Sequence, residues 1–280
     1  MEAVEDGPLD PELGGAFLRD GQMLIQTGEF TVPAGEETYL CWTMTADQAF
    51  EARSFSFAGQ PVVHHTMLAR TIRPEPAGAR ECEVLFNPNW STIFGTGAGA
   101  SELTFPAGTA FKFEADTQFV LQLHLLNTSE EDITDHVEVA LGLSEDPNTQ
   151  PVKIGGFGTT QINLPPHQES SVAHSCTLPK SGRLIGLNPH MHQMGTSLTL
   201  ELGSTEQEAE QIYAREPYDF DAQTVDAVDM ELEQGQFVRV TCNYQNDTNE
   251  VVTYGESSLS EMCFLGLFWV GDDPISCVQF

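Results

Sequence analysis

Five of the eight histidines in this 280-residue chain stand in three short settings where imidazoles could hold a metal ion. In Asn188-Pro-His190-Met-His192-Gln-Met194-Gly195 two histidines lie two residues apart. If that segment is extended, positions i and i+2 project to one side with Cα atoms roughly 6.5 to 7 Å apart, close enough to share one ion. In Phe119-Val-Leu-Gln122-Leu-His124-Leu-Leu126, alternation puts Phe119, Leu121, Leu123 and Leu125 on one face and Gln122 with His124 on the other. A polar pair in so apolar a strand needs hydrogen bonds or a ligand, because burying an unpaired amide or imidazole costs about 1 to 3 kcal/mol. In Pro61-Val-Val-His64-His65-Thr-Met-Leu68 the neighbouring histidines face opposite ways in an ideal strand. Both reach one ion only where the strand bulges or ends, or through different ring nitrogens. Taken singly, the His190/His192 pair is read at least as well as two structural histidines, and for His124 and for His64 with His65 the structural reading is the default.

A soft ligand is also present. In Ser258-Leu-Ser-Glu261-Met262-Cys263-Phe264 the side chains of Met262 and Cys263 face opposite ways, so Met262 could serve a metal while Cys263 sits in a disulfide. Met191 and Met194 are nearer in sequence to the histidine pair, and spacing does not choose among the three. Three imidazoles suit zinc or copper, whereas two imidazoles with a thioether point to copper. No cysteine has a histidine a few residues downstream, which argues against a blue-copper site.

The elements that must position these groups read as strands. Short alternating or apolar runs bounded by Gly, Pro, Asn and Asp recur, among them 62–69, 111–113, 119–126, 137–143, 197–202, 237–244 and 263–270. That pattern predicts an all-β chain of sandwiches or barrels. The polar stretch 144–150, with Pro147 and then Pro151, divides it into 1–150 and 151–280. The glycine-rich 95–101 lacks the Lys-Ser/Thr of a phosphate loop and reads as a flexible connection. No internal repeat is visible in the residues.

Composition narrows the partners. Eleven Lys and Arg against forty-two Asp and Glu give a net charge of -31, which excludes coating of nucleic acid and argues against anionic lipid. No apolar run is long enough to span a bilayer. The acidic opening Met1-Glu-Ala-Val-Glu-Asp-Gly-Pro8 has no apolar core and is not itself a secretory signal. Six cysteines without a CxxC pair predict disulfides and an oxidising, extracytoplasmic location. Asn89, Asn127 and Asn246 head Asn-x-Ser/Thr sequons. His136, His167 and His174 lie in polar or turn-like contexts and receive no role.

Taken together the chemistry-bearing segments resemble the copper type II, ascorbate-dependent monooxygenases, the family of dopamine β-hydroxylase and peptidylglycine α-hydroxylating monooxygenase. The matching pieces are His64-His65 with Met67-Leu68, Leu121-Gln122-Leu-His124 with Asn127, His190-Met-His192 with Gly195, and Glu261-Met262-Cys263, in the family's order. The resemblance implies an electron-transfer copper on His64, His65 and His124 and an oxygen-binding copper on His190, His192 and Met262. Gln122 would orient the first centre by a hydrogen bond. It implies two antiparallel β-sandwich domains of jelly-roll type facing each other across a cleft. It implies the disulfides Cys41–Cys82, Cys176–Cys277 and Cys242–Cys263.

The activity so implied is hydroxylation of a small-molecule C–H bond by O2, with electrons from ascorbate or a similar small reductant. Because ascorbate is an anion, its approach to so acidic a chain is expected to quicken with ionic strength. Peptide-amidating members anchor a substrate carboxylate through an Arg and a Tyr at the positions held here by Asn188 and Gly266, which argues against peptidylglycine amidation. Two other readings stand beside this one: an extracytoplasmic copper-binding protein without turnover, and a structural β-sandwich whose histidines are incidental.

Overall fold

The computed structural model describes residues 14–82, 87–96, 101–255, 257 and 259–280. The opening octapeptide and the centre of the glycine-rich connection, residues 97–100, lie outside the described residues. The chain divides into two compact units, Met1–Gln150 and Pro151–Phe280. Both are all-β, and the one helical element among the described residues is a 3-10 turn at Glu206–Glu208. Among those residues no helix is long and apolar enough to cross a membrane.

The first unit contains β1 (Gly15–Arg19), β2 (Gln22–Gln26), β3 (Phe30–Val32), β4 (Glu37–Ala46), β5 (Phe50–Phe57), β6 (Val63–Thr71) and β7 (Gly78–Glu81). It continues with β8 (Trp90–Thr96), β9 (Ser101–Thr104), β10 (Thr109–Phe113), β11 (Thr117–Leu126), β12 (Ile133–Asp135) and β13 (Glu138–Leu143). The second unit follows with β14 (Gln150–Thr159), β15 (Asn163–Leu164), β16 (Gln168–Thr177), β17 (Gly182–His190), β18 (Gly195–Gly203) and β19 (Glu210–Arg215). It closes with β20 (Asp226–Leu232), β21 (Phe237–Asn246), β22 (Val252–Thr253), β23 (Cys263–Val270) and β24 (Ser276–Gln279). All seven expected runs are strands, and 263–270 coincides with β23 end to end.

A repeat that the residues hide is plain in the pairing. The first unit carries the strand orders β2-β13-β5-β10 and β4-β11-β6-β8, with β3 paired to β12. The second carries β14-β23-β17-β20 and β16-β21-β18-β19, with β15 paired to β22. Every strand of one list has its counterpart at the same place in the chain order of the other; β1, β7, β9 and β24 are additions. The irregularities repeat as well. Arg53 is the extra residue where β5 slips against β13, and Ile185 is the extra residue where β17 slips against β23. His64 bulges from β6 against β11, and Thr196 bulges from β18 against β21. A bulge adds one residue to one strand and re-aims its side chains, so its position outlasts the side chains it carries.

The turn after β11 and the turn that ends β21 share one hydrogen-bond plan. Asn127 Oδ1 accepts from the Ser129 amide and hydroxyl, while Asn127 Nδ2 donates to the carbonyls of Val32 and Glu131. Asn246 Oδ1 accepts from the Thr248 amide and hydroxyl, and Asn246 Nδ2 donates to Leu164 and Glu250. Both asparagines are buried. Each ties its turn to β3 or β15, satisfying backbone groups that two-stranded β3/β12 and β15/β22 would leave bare.

The cores differ. Phenylalanine dominates the first, where Phe55 meets Phe94, Phe105 and Phe111, and Phe113 meets Phe50 and Phe119. Each such ring contributes about 1.5 to 3 kcal/mol by leaving water. The second core is built of Leu184, Leu187, Leu198, Leu200, Val238, Val240 and Trp269. The disulfides are Cys41–Cys82, Cys176–Cys277 and Cys242–Cys263, the pairing that the resemblance implies. Each contributes about 2 to 4 kcal/mol, chiefly by restricting the unfolded chain.

Candidate metal centres

In the first unit, β11 lies between β4 and β6, and Tyr39, His124 and His65 form one cross-strand row. Adjacent strand residues ordinarily face opposite sides, but the bulge at His64 turns its ring toward its neighbour's. The condition set by the spacing is met. His64 Nδ1 lies 3.1 Å from His65 Nδ1, which lies 3.2 Å from His124 Nδ1. Metal–nitrogen bonds of about 2.0 to 2.1 Å meeting at about 100° put ligand nitrogens roughly 3.1 Å apart, so this donor set fits one cation.

Two further groups hold the His124 ring. Glu37, the first residue of β4, places Oε1 at 2.5 Å from His124 Nε2. Tyr39 stacks on the ring with centroids 4.3 Å apart and planes 4° from parallel. Burial lowers the His124 pKa, the Glu37 carboxylate opposes that, and His64 adds to the lowering. The net direction keeps the ring neutral and able to bind a metal. Gln122 is buried on the same strand, and its Nε2 donates to Cys82 Sγ at 3.7 Å. The Cys41–Cys82 bridge joins β4 to the segment after β7.

In the second unit the local geometry differs from the extended segment expected for His190 and His192. Strand β17 ends at His190, and Met191 and His192 follow it outside any strand. The ring centroids are 5.2 Å apart and the planes nearly perpendicular, at 87°. The reason is local. The Met191 amide donates to the Tyr218 hydroxyl, which donates in turn to the Met191 carbonyl, so the backbone there has a side chain in place of a strand partner.

The tautomer of each ring can be read from its acceptor. His192 Nδ1 faces the Ser260 carbonyl at 2.9 Å, and a carbonyl only accepts, so Nδ1 carries the proton. Gln223 Nε2 donates to the Phe220 carbonyl, which turns Gln223 Oε1 toward His190 Nδ1 at 2.7 Å. Both rings therefore keep their lone pair on Nε2. Burial and the neighbouring His192 push the His190 pKa down to about 4, against the Gln223 hydrogen bond. Burial also lowers that of His192, against the carbonyls of Ser260 and Ser257.

Glu261 ties this histidine segment to Met262. Its buried carboxylate accepts from the backbone amides of His192, Met194 and Met262. Burial raises its pKa to about 7, opposed by those three donors. Met262 is itself buried, and its carbonyl accepts from the Tyr244 hydroxyl at 2.7 Å. Met191 belongs to the apolar core and Met194 packs against it. The adjoining residue is fixed by the Cys242–Cys263 bridge.

Sequence reasoning missed Glu37, Gln223 and the Ser260 carbonyl, and it quoted Glu261 without a role. Glu37 had a signal, an acid two residues before a tyrosine on the strand bearing Cys41. Gln223 had none, because it comes from the stretch between β19 and β20.

Residues 152–274 match the sequence model of the copper type II ascorbate-dependent monooxygenase, C-terminal domain. The match lies wholly within the second unit and covers 123 of the 280 residues, less than half of the chain. The matched stretch includes His190, His192, Glu261 and Met262. Among curated proteins none matches the chain. Among solved structures the chain is similar to the major capsid protein P2 from Bacteriophage PM2, with 7% identity and a TM-score of 0.39 over 90% of this chain and 98% of that one. It is also similar to recombinant peptide:N-glycanase F, with 9% identity and a TM-score of 0.40 over 92% of this chain and 98% of that one. Likeness at these scores carries no argument.

Proposed function

We propose that the chain is an extracytoplasmic dicopper monooxygenase that hydroxylates a substrate C–H bond with O2 and two electrons from ascorbate or a similar small reductant. In this reading His64, His65 and His124 hold one copper through Nδ1, and His190 and His192 through Nε2 with Met262 hold the other. When bound, the second copper supplies O2 activation and C–H hydroxylation, and the first supplies electrons taken from the reductant. The overall balance is one oxygen atom into the C–H bond and the other to water, using two electrons and two protons. The observation that carries the reading is the grouping of His64, His65 and His124, with His65 Nδ1 at 3.1 and 3.2 Å from the other two Nδ1 atoms, in a chain whose second half matches this copper family.

The residues of the chain act mainly by placement. The Ser260 carbonyl and Gln223 Oε1 hold the second pair of rings with Nε2 unprotonated. Glu261 ties the His192 segment to Met262 by accepting hydrogen bonds from the amides of His192, Met194 and Met262. Met262 would supply a soft thioether donor, which suits Cu(I). We further propose that each unit is a jelly-roll sandwich, on the strength of the matched four-stranded orders. The three disulfides suit an oxidising compartment.

Copper analysis tests this directly. Protein from copper-supplemented medium is expected to hold close to two ions per chain, one lost in His64→Ala/His65→Ala and the other in His190→Ala/His192→Ala. Absence of stoichiometric metal would return the chain to a structural sandwich. Two ions without ascorbate-dependent, O2-dependent product would make it a copper-binding protein.

A further inference from the structure

We propose that Glu37 is the positioning residue of the first-unit centre, setting which nitrogen of His124 meets the metal. The inference rests on the reading of His64, His65 and His124 as copper ligands and goes beyond it to a residue outside that set.

An ionised carboxylate only accepts, so the 2.5 Å contact between Glu37 Oε1 and His124 Nε2 puts the ring proton on Nε2. Nδ1 then carries the lone pair, and Nδ1 is the atom 3.2 Å from His65 Nδ1. Without Glu37 the ring could hold its proton on either nitrogen, and the Nδ1-protonated form cannot bind through Nδ1. Tyr39 fixes the plane that Glu37 leaves free to rotate, since the two sit one turn of the pleat apart on β4 and address the edge and the face of one ring. Glu37 is 57% exposed, so the pair itself adds little to folding stability. Its value lies in pre-setting the tautomer and in leaving a negative charge behind the ligand. The ring partners of the second unit, a carboxamide oxygen and a carbonyl, are neutral. The first centre thus has an anionic partner where the second has dipoles, which would favour Cu(II) there and make the reduced ion the readier electron donor.

The test is a chelator-competition titration of copper in a His190→Ala/His192→Ala background, so that one centre is read. Glu37→Ala is expected to weaken binding by about 10- to 100-fold, the usual range for a lost partner behind a metal-bound imidazole. Glu37→Gln keeps an oxygen that accepts from Nε2 and is expected to recover most of that affinity. Losing only the charge, it should still raise the Cu(II)/Cu(I) potential measured by redox titration. Thermal unfolding of the metal-free variants should match that of the parent. Unchanged copper affinity in Glu37→Ala, alongside lost affinity in His124→Ala, would overturn the role of Glu37 and leave the ligand reading standing. Unchanged affinity in His124→Ala would overturn both.

Discussion

In the first unit the histidines stand on β6 and β11, within the paired strands of the order β4-β11-β6-β8; in the second His190 ends β17, a middle strand of the other order, opposite Phe264 of β23, and His192 follows it outside any strand. The scaffold is duplicated and the chemistry is not. Counting from the shared bulge, the second-unit counterparts of His64, His65 and His124 are Thr196, Ser197 and Asn243. There Asn243 Nδ2 donates to Ser197 Oγ at 2.9 Å, an ordinary polar pair in the place of two imidazoles. Counting from the other bulge, Ala58 and His136 stand in the first unit where His190 and Met262 stand in the second, beside a shallow cavity of about 270 Å3. The lesson is that the bulges belong to the fold. The one at His64 turns neighbouring rings together, whereas the second-unit histidines follow the end of β17, where Tyr218 holds the backbone.

The sharpest way to break that comparison is Met262→Ile. Hydroxylation should disappear, while ascorbate still reduces the first-unit copper, followed by loss of its Cu(II) spectrum. Retained hydroxylation would shift the soft ligand to Met191 or Met194. Loss of both signals would mean that the two centres are not independent.

A second measurement uses pH. With its folded pKa depressed to about 4 from an ordinary 6.5, His190 stays neutral in the folded chain while the unfolded chain takes up a proton. Its contribution is thus fully present above about pH 6.5 and is lost as pH falls toward 4, by about 3 kcal/mol at most. Glu261 works in the opposite direction, since its raised pKa lets the folded chain bind a proton between about 4.5 and 7. Urea unfolding of metal-free wild type and His190→Gln isolates the histidine: the wild type should lose ground relative to the variant on acidification. The same comparison at His124, which is less enclosed, should give a smaller effect in the same direction.

The smallest effect tests the duplication itself. Asn127→Ala and Asn246→Ala each strand buried carbonyls and should each lower stability by about 2 kcal/mol in urea unfolding. Clearly unequal losses would mean that the two turns are alike in outline only.

Much of the fold was legible because strand formation depends on local alternation and turn residues. Phe119 to Leu126 and Cys263 to Val270 announce themselves. The duplication was not legible, because topology fixes strand order and bulge position, and neither requires the same side chains. Only the Asn-x-Ser/Thr-x-Glu string, at Asn127 to Glu131 and Asn246 to Glu250, survives as a shared residue pattern. The first histidine cluster was legible up to one condition, a bulge, which no residue type at His64 declares. Partners such as Gln223 were invisible because the contact is made by chain return rather than by spacing.

Those two asparagine turns have a bearing on biosynthesis. N-linked glycans attach to the carboxamide nitrogen, and in Asn127 and Asn246 that nitrogen is already donating to main-chain oxygens beneath the surface. At Asn89 it donates to Arg73 and Glu75. In a eukaryotic export pathway, an oligosaccharide could be added at these sequons only before the segment closes, and at the two turns it would then bar closure. The finished molecule buries Asn127 and Asn246, so at those two turns production in a glycosylating host becomes a race between the transferase and the folding chain.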